Sequence, residues 1–331
     1  MRARIIYNPV SGKEIIKKNL VEILQILETA GYETSAFETK PTPNSAKEEA
    51  TRAALAGFDL IVAAGGDGTI NEVVNGIAGL DQRPKMGIIP AGTTNDYARA
   101  LEIPRSDIID AARVIVQGKT VKMDIGLAIN ESTKQYFINI GAGGYLTELT
   151  YAVPTKLKSA IGYLAYLVKG AEMLPHIKPA HMRIEYDDGV YDGEASMFFL
   201  ALTNSVGGFE QIVPDALLDD GKFSLIIVKT SKLLDILQLI VLMMNGGKHV
   251  NDDRIIYVKT EKCKVQLNDA NKRLMINLDG EYGGDAPIEF INLKQHITFF
   301  ANTDDSVENH SLEIEKEEFV KTVEDLTDNL D

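Results

Sequence analysis

Three times before residue 97, a short apolar run rich in β-branched residues ends in a loop of small polar residues and then passes into helix-patterned chain. ARIIYN leads into Asn8-Pro9-Val10-Ser11-Gly12, DLIVAA into Gly65-Gly66-Asp67-Gly68-Thr69, and KMGIIP into Gly92-Thr93-Thr94-Asn95-Asp96. Between the first two, Ile16, Leu20, Ile23, Leu24 and Leu27 recur at helical spacing, and YETSAFE forms another strand-like run. Strands that are apolar at almost every position are buried on both faces, so the alternation predicts a parallel sheet covered by helices. The strand-end loops of such a sheet share one edge, and ligands bind there.

Beyond residue 126 the period changes. KQYFINI, HMRIEYDD, SMFFLALTN, KFSLIIVK, RIIYVK, CKVQL, RLMINLDG and HITFFAN read as short strands, with turn chemistry at Asp187-Asp188-Gly189, Asp219-Asp220-Gly221 and Asp279-Gly280. At 331 residues the chain has room for two domains. The expected fold is α/β plus β: a Rossmann-like α/β nucleotide-binding domain over 1–126, then a mainly β, sandwich-like domain over 127–296. Helices are expected near 155–174 and 231–245. The segment 297–331 is acidic, and Leu312, Phe319, Val320, Val323, Leu326 and Leu330 predict a helix that returns to pack on the body.

A single cysteine, Cys263, excludes an intrachain disulfide and a CxxC-type zinc site, and fits a reducing cytoplasm. The N-terminus MRARIIYNPV reads as a first strand rather than a signal peptide. The apolar runs 159–168 and 236–244 fall short of the roughly 20 residues of a membrane span. A net charge of −14 argues against nucleic acid as a partner. That charge is uneven, because Thr303–Asp331 holds eleven acidic and two basic residues. The mildly acidic body leaves room for a basic patch that touches an anionic surface.

Gly65, Gly66 and Gly68 let another group approach the backbone, and a following helix offers unpaired N–H groups and the positive end of its dipole. This is phosphate-binding chemistry, yet neither a Walker A loop nor the dinucleotide fingerprint GxGxxG is present. A tight turn accounts for one or two glycines but leaves Asp67 unexplained. A carboxylate facing phosphates is repelled unless a cation lies between them, so Asp67 points to Mg²⁺. Asp96 in the third loop and Asp124 in VKMDIGL add two more carboxylates at the same expected edge.

Asn8-Pro9-x-Ser11-Gly12, Gly65-Gly66-Asp67-Gly68-Thr69 with Asn71-Glu72, and Gly92-Thr93-x-Asn95-Asp96 with Ala98-Arg99 resemble, in order and spacing, the soluble bacterial diacylglycerol kinases. The likeness continues through Asp219-Asp220-Gly221 and Asp279-Gly280-Glu281, so it covers nearly the whole chain. The resemblance implies ATP held by Asn8, Pro9, Val10, Ser11, Gly12, Thr39, Gly66, Asp67, Gly68, Thr69, Ile70, Asn71, Glu72 and Thr93. It implies an Asp–water–Mg²⁺ network through Asp67, Asp96 and Asp124, and Glu281 as the acceptor of the substrate proton. A second, structural Mg²⁺ would take the Asp220 side chain and main-chain oxygens of Leu217 and Lys222. From its residues alone, LLDDGKF is equally a turn into a strand.

The implied reaction is ATP-dependent phosphorylation of 1,2-diacylglycerol to phosphatidate by a cytoplasmic enzyme associated peripherally with the inner face of the membrane. Lys156, Lys158 and Lys169, interleaved with Leu157, Ile161, Leu164 and Leu167, form either the face that docks on that anionic surface or an ordinary core-packed helix. A homodimer is the candidate assembly. The rival readings are a kinase of phosphatidylglycerol or a ceramide-like lipid, an NAD kinase, and a nucleotide sensor without catalysis. GTTNDYAR and NPVSG point away from NAD kinase, the missing SGD motif away from a sphingoid substrate, and Glu281 away from a sensor.

Overall fold

A computed structural model describes residues 1–144, 179–206, 209–210, 213–230, 232–269 and 272–302. The helix expected near 155–174, with Lys156, Lys158 and Lys169, and residues 303–331 of the acidic tail lie outside the described residues; residues 297–300, expected to belong to that tail, instead end the long strand Ile288–Phe300. The first half runs β1 (Arg2–Tyr7), α1 (Ile15–Thr29), β2 (Glu33–Glu38), α2 (Ser45–Leu55), β3 (Leu60–Gly65), α3 (Asp67–Ile77), β4 (Lys85–Pro90), α4 (Asp96–Ala100), α5 (Ile108–Gln117) and β5 (Thr120–Ile129). The second runs β6 (Lys134–Phe137), β7 (Ile140–Gly144), β8 (Ala180–Tyr186), β9 (Gly189–Ala195), β10 (Met197–Ala201), β11 (Ser205–Val206), β12 (Phe209–Glu210), β13 (Phe223–Val228), α6 (Leu233–Met244), β14 (Ile255–Thr260), β15 (Lys262–Leu267), β16 (Met275–Leu278), β17 (Glu281–Asp285) and β18 (Ile288–Phe300).

Strands β2, β1, β3 and β4 pair in parallel, in that order. Every residue of β3 is buried, as its unbroken apolar run requires when helices cover both faces. The helices are bounded by local chemistry: the Asp107 carboxylate accepts the Ile109 and Asp110 N–H groups at the start of α5, and Gly118 at φ 77° ends it. The second half is antiparallel. A six-stranded sheet, β14-β13-β10-β7-β16-β17, faces β18, β15 and β8, and their inward residues form one core that includes Phe198, Leu225, Ile276, Val265, Ile184 and Phe290.

The sequence pattern suggests two separate sheets, but one ten-stranded sheet passes through both halves. Its link is β18, which pairs with β15 through Lys262↔Ile291, with β4 through Phe299↔Met86, and with β5 along most of its length. Phe290 lies in the second core and Phe299 in the first; on β5, Met123 and Ile125 face the first core and Ala128 the second. The β5–β18 register shifts between Leu293 and Ile297, where Gln295 takes φ 49°. The extra residues at this bulge re-aim the strand from one core to the other. Strand β9 was not expected from the sequence, because a polar edge strand interrupted by glycine carries little hydrophobic alternation.

Candidate active site

Because β1, β3 and β4 run parallel, the loops that follow them lie along one sheet edge. The first is tied down by short-range bonds: the Val10 N–H donates to Asn8 Oδ1 (3.1 Å), and the Ser11 N–H to the Asn8 carbonyl (3.3 Å). Gly12 sits at φ 56° against Ala91 of the third loop. The second and third loops touch backbone to backbone. A Cβ on Gly92 would stand 2.7 Å from the Gly66 Cα, so both positions need glycine.

The third loop is braced by Asn95, which is buried at φ 51° and bonds Gly92 twice, accepting its N–H (2.8 Å) and donating to its carbonyl (2.9 Å). This brace was invisible in GTTND, where Asn95 reads as one more polar loop residue. The brace sets Thr94 to donate its hydroxyl to Asp67 Oδ2 (2.9 Å), at the first turn of α3.

An open cleft of about 260 Å³ lies beside these loops, lined by Asn8, Ser11, Thr39, Gly66, Gly68, Thr69 and Glu72 together with Lys40, Thr42, Ser45 and Ala46. The last four were not expected from the sequence. Their only local signal was Thr-Pro-Asn-Ser ahead of α2, a helix-start pattern that says nothing about ligands. The N-terminus of α2 is closed from across the cleft: Glu72 Oε2 accepts the Ala46 N–H (2.9 Å), and Ser45 Oγ accepts that of Lys40 (2.9 Å). Pro9, Val10, Gly12, Asp67, Ile70, Asn71 and Thr93 are not among the lining residues, and neither is Asp96. Val10 points outward at 73% exposure, and Ile70 is fully buried in the first core. Thr93 is exposed at the tip of the third loop.

Burial pushes the Asp67 carboxyl up, and the neighbouring carboxylate of Asp96, itself buried, adds to the shift. Two carboxylates held together at low exposure want a proton or a cation between them. Next to phosphate-type loops, and offering only oxygen, they suit Mg²⁺. Asp124 is bonded elsewhere: its Oδ2 accepts the Gly221 N–H (2.6 Å), its Oδ1 the Gln295 N–H (2.7 Å), and its own N–H donates to the Leu218 carbonyl (2.8 Å). It thus clamps the 218–221 turn onto the bulge of β18. Burial pushes its carboxyl up as well, the two N–H groups pull it back, and Asp220 raises it further. Asp220 Oδ1 accepts the Lys222 N–H (2.9 Å), and Leu217 is 60% exposed beside it. Carboxylate and main-chain oxygens at this turn are the donor type a hard cation takes. Among the described residues, no group of three or more His, Cys, Asp or Glu side chains is placed to hold a metal.

Glu281 is exposed at the first residue of β17. Two residues before it, Asp279 at φ 51° turns the chain, and its carboxylate accepts the N–H groups of Ile138 (2.7 Å), Asn139 (2.9 Å) and Ile140 (2.8 Å). Its fourth bond, from Asn71 Nδ2 (2.8 Å), comes from α3. Burial pushes the Asp279 carboxyl up, while these donors pull it back.

A parallel sheet presenting three anion-type loops, with an antiparallel sandwich whose Asp279 turn is bonded to α3, is an arrangement suited to a nucleotide-dependent phosphotransferase. The pattern of the diacylglycerol kinase catalytic domain matches residues 2–128, and that of the YegS C-terminal NAD kinase beta sandwich-like domain matches 144–301. A diacylglycerol kinase of Bacillus subtilis (strain 168) is 53% identical over 89% of this chain and 95% of that protein. One of Staphylococcus aureus (strain NCTC 8325 / PS 47) is 52% identical over 92% of this chain and 93% of its own. A crystal structure from Bacillus anthracis str. Sterne superposes with a TM-score of 0.78 at 26% identity, over 91% of this chain and 95% of that one. The chain belongs to the diacylglycerol kinase family and is a kinase.

Proposed function

We propose that this kinase transfers the γ-phosphoryl group of ATP to the free hydroxyl of 1,2-diacylglycerol, giving ADP and phosphatidate. The observation that carries this reading is the convergence of three glycine and hydroxyl loops beside the half-buried Asp67 and the buried Asp96, at the start of an eleven-residue helix. The diacylglycerol kinase name of relatives at 53% and 52% identity selects the acceptor. Residues 1–126 hold the nucleotide and 127–296 the lipid.

Backbone N–H groups of the Gly66–Thr69 turn and the dipole of α3 bind phosphate oxygens, while Asn8, Ser11 and Thr39 line the nucleotide's approach. Asp67 and Asp96 would hold Mg²⁺, which when bound neutralises charge on the transferring group. Asp220 with the Leu217 and Lys222 carbonyls would hold a second, structural ion, and Asp124 links that turn to the body. Glu281 accepts the proton of the attacking hydroxyl as the new O–P bond forms and the bond to the ADP oxygen breaks. The substrate is met at a membrane surface, since each buried CH₂ is worth about 0.8 kcal/mol and two acyl chains resist extraction into water. Among the described residues no helix is long and apolar enough to cross that membrane.

Phosphatidate formation from ATP and 1,2-dioctanoylglycerol tests the reaction, with phosphatidylglycerol, ceramide, sphingosine and NAD as competing acceptors. Diacylglycerol is expected to be the preferred acceptor, and preference for another would reassign the substrate. Glu281→Gln keeps the hydrogen bonding but cannot take up the proton. Its turnover should fall by roughly 10² or more while stabilisation by ADP stays. Turnover near the parent's would end the assignment of Glu281 as the base.

A further inference from the structure

Asp279 has no chemical step in the reaction proposed above, yet its carboxylate is bonded on every side. Oδ1 accepts the Asn139 and Ile140 N–H groups, and Oδ2 accepts the Ile138 N–H and Asn71 Nδ2. An ionised carboxylate offers about four acceptor positions, and here all four are filled. Such a group cannot take a substrate proton without breaking its own anchorage. The turn is fixed further: the Asp279 N–H donates to the Ile140 carbonyl (2.9 Å), and Gly280 N–H to Asn277 Oδ1 (2.8 Å). Glu281 follows directly.

Three of the four carboxylate bonds stay within the β half. The fourth reaches α3, whose first residue is Asp67. Asn71 stands four residues after Asp67, one helical turn along the same face. The Asn71 amide is oriented by Asn75, whose Nδ2 donates to the Asn71 carbonyl (3.0 Å) and to Asn71 Oδ1 (3.1 Å). Asn75 is itself held by the backbone of Tyr136, donating to its carbonyl (2.8 Å) and accepting its N–H (2.9 Å). With its oxygen engaged by Asn75, Asn71 presents its NH₂ group to Asp279. An N–H donor to an ionised carboxylate is among the stronger hydrogen bonds.

We propose that Asn71 and Asp279 form a latch between the two halves that sets the Glu281 turn against the phosphate loop, making both of them positioning residues for phosphoryl transfer. The latch rests on the reading of Glu281 as the acceptor base. It converts the placement of α3, where the nucleotide phosphates bind, into the placement of the base on the other half. A shift of about 1 Å in a reacting group can cost about 10²-fold in rate, so one such bond suffices to matter.

The test is a double-variant cycle on kcat and KM, with Mg-ATP and 1,2-dioctanoylglycerol in mixed micelles: Asn71→Asp, Asp279→Asn and the two together. Each single change should lower kcat by roughly 10- to 100-fold while KM for ATP moves less than about threefold. Asn71→Asp sets two carboxylates face to face, and one of such a pair binds a proton at a raised pKa. The ratio of its kcat to the parent's should therefore rise as pH falls from about 8 to about 6, a trend that a purely structural defect does not produce. The double variant should be impaired by clearly less than the product of the two singles, because the bond between the halves is already lost in either one.

A double variant equal to the product of the singles overturns the latch. So does a pH-independent ratio in Asn71→Asp, or a loss confined to KM for ATP, which would make Asn71 a nucleotide ligand only. The pH ratio decides the matter even where Asp279→Asn does not fold, because Asn71 is half-buried on a helix and its variant removes no core packing. Full turnover in Glu281→Gln overturns the base reading and with it the latch's role in setting that base. A failed cycle beside an inactive Glu281→Gln overturns the latch alone.

Discussion

Asp67 occupies a position that lowers the stability of the nucleotide-free enzyme. Its carboxyl is raised above the unfolded value by burial and by Asp96, so the folded chain binds the proton more tightly than the unfolded chain does. A raised folded pKa contributes stability below the unfolded value, and that contribution is lost as pH rises through the folded value. At neutral pH the charge is therefore a net burden until a cation offsets it. Asp67→Asn keeps the Thr94 contact and removes the charge, so its melting temperature without ligand should exceed the parent's at neutral pH, with the difference shrinking toward pH 4. Turnover should be lost. A melting temperature below the parent's at neutral pH would show that the pair is already compensated within the protein. At this scale the sequence singled out Asp67 and Asp96, which the fold sets beside each other, because an acid in a glycine loop has few structural excuses, whereas it gave no sign that Asp124 is bonded to the 218–221 turn and to β18. Asp279 was legible only as turn chemistry, since its four donors come from residues 139 to 208 positions away.

The pairing of α2 with α3 shows where propensity and packing part. Gly76 lies inside α3, where alanine would ordinarily gain up to about 1 kcal/mol. A Cβ there would meet the Lys47 carbonyl at 2.5 Å and the Ala50 Cβ at 2.8 Å, and the Gly76 carbonyl already accepts the Thr51 hydroxyl (2.7 Å). Overpacking of this kind costs about 1–3 kcal/mol, so packing wins. Gly76→Ala should lower the melting temperature and weaken stabilisation by ADP, because Glu72 on α3 closes the start of α2 in the same cleft. A rise in melting temperature would show that the two helices separate freely. The helical spacing of Ile70, Val73, Val74 and Ile77 announced the element, but a glycine that lets two helices touch looks in sequence like one that weakens a helix.

Across the whole molecule, the two halves share strands as well as a site. Phe299 and Ile297 complete the first core, Phe290 and Ile288 the second, and all four lie on β18. Loss of a buried phenylalanine side chain costs about 3–5 kcal/mol, so Phe299→Ala should lower one common transition of both halves in calorimetry and near-ultraviolet dichroism. Two resolved transitions would make the halves independent. The change of period near residue 126 marked the change of architecture, yet β5 runs straight through that point, because hydrophobic period reports which faces are buried and not which core receives them. The order in which a ribosome delivers these strands carries a further consequence. When β4 emerges, its neighbour on the open side is 198 residues away in the message, about 10–40 s at roughly 5–20 residues per second. Through that interval the nascent sheet carries a bare edge at β4, where Met86 awaits Phe299, a template for wrong pairing that a fragment ending near residue 128 would expose for good.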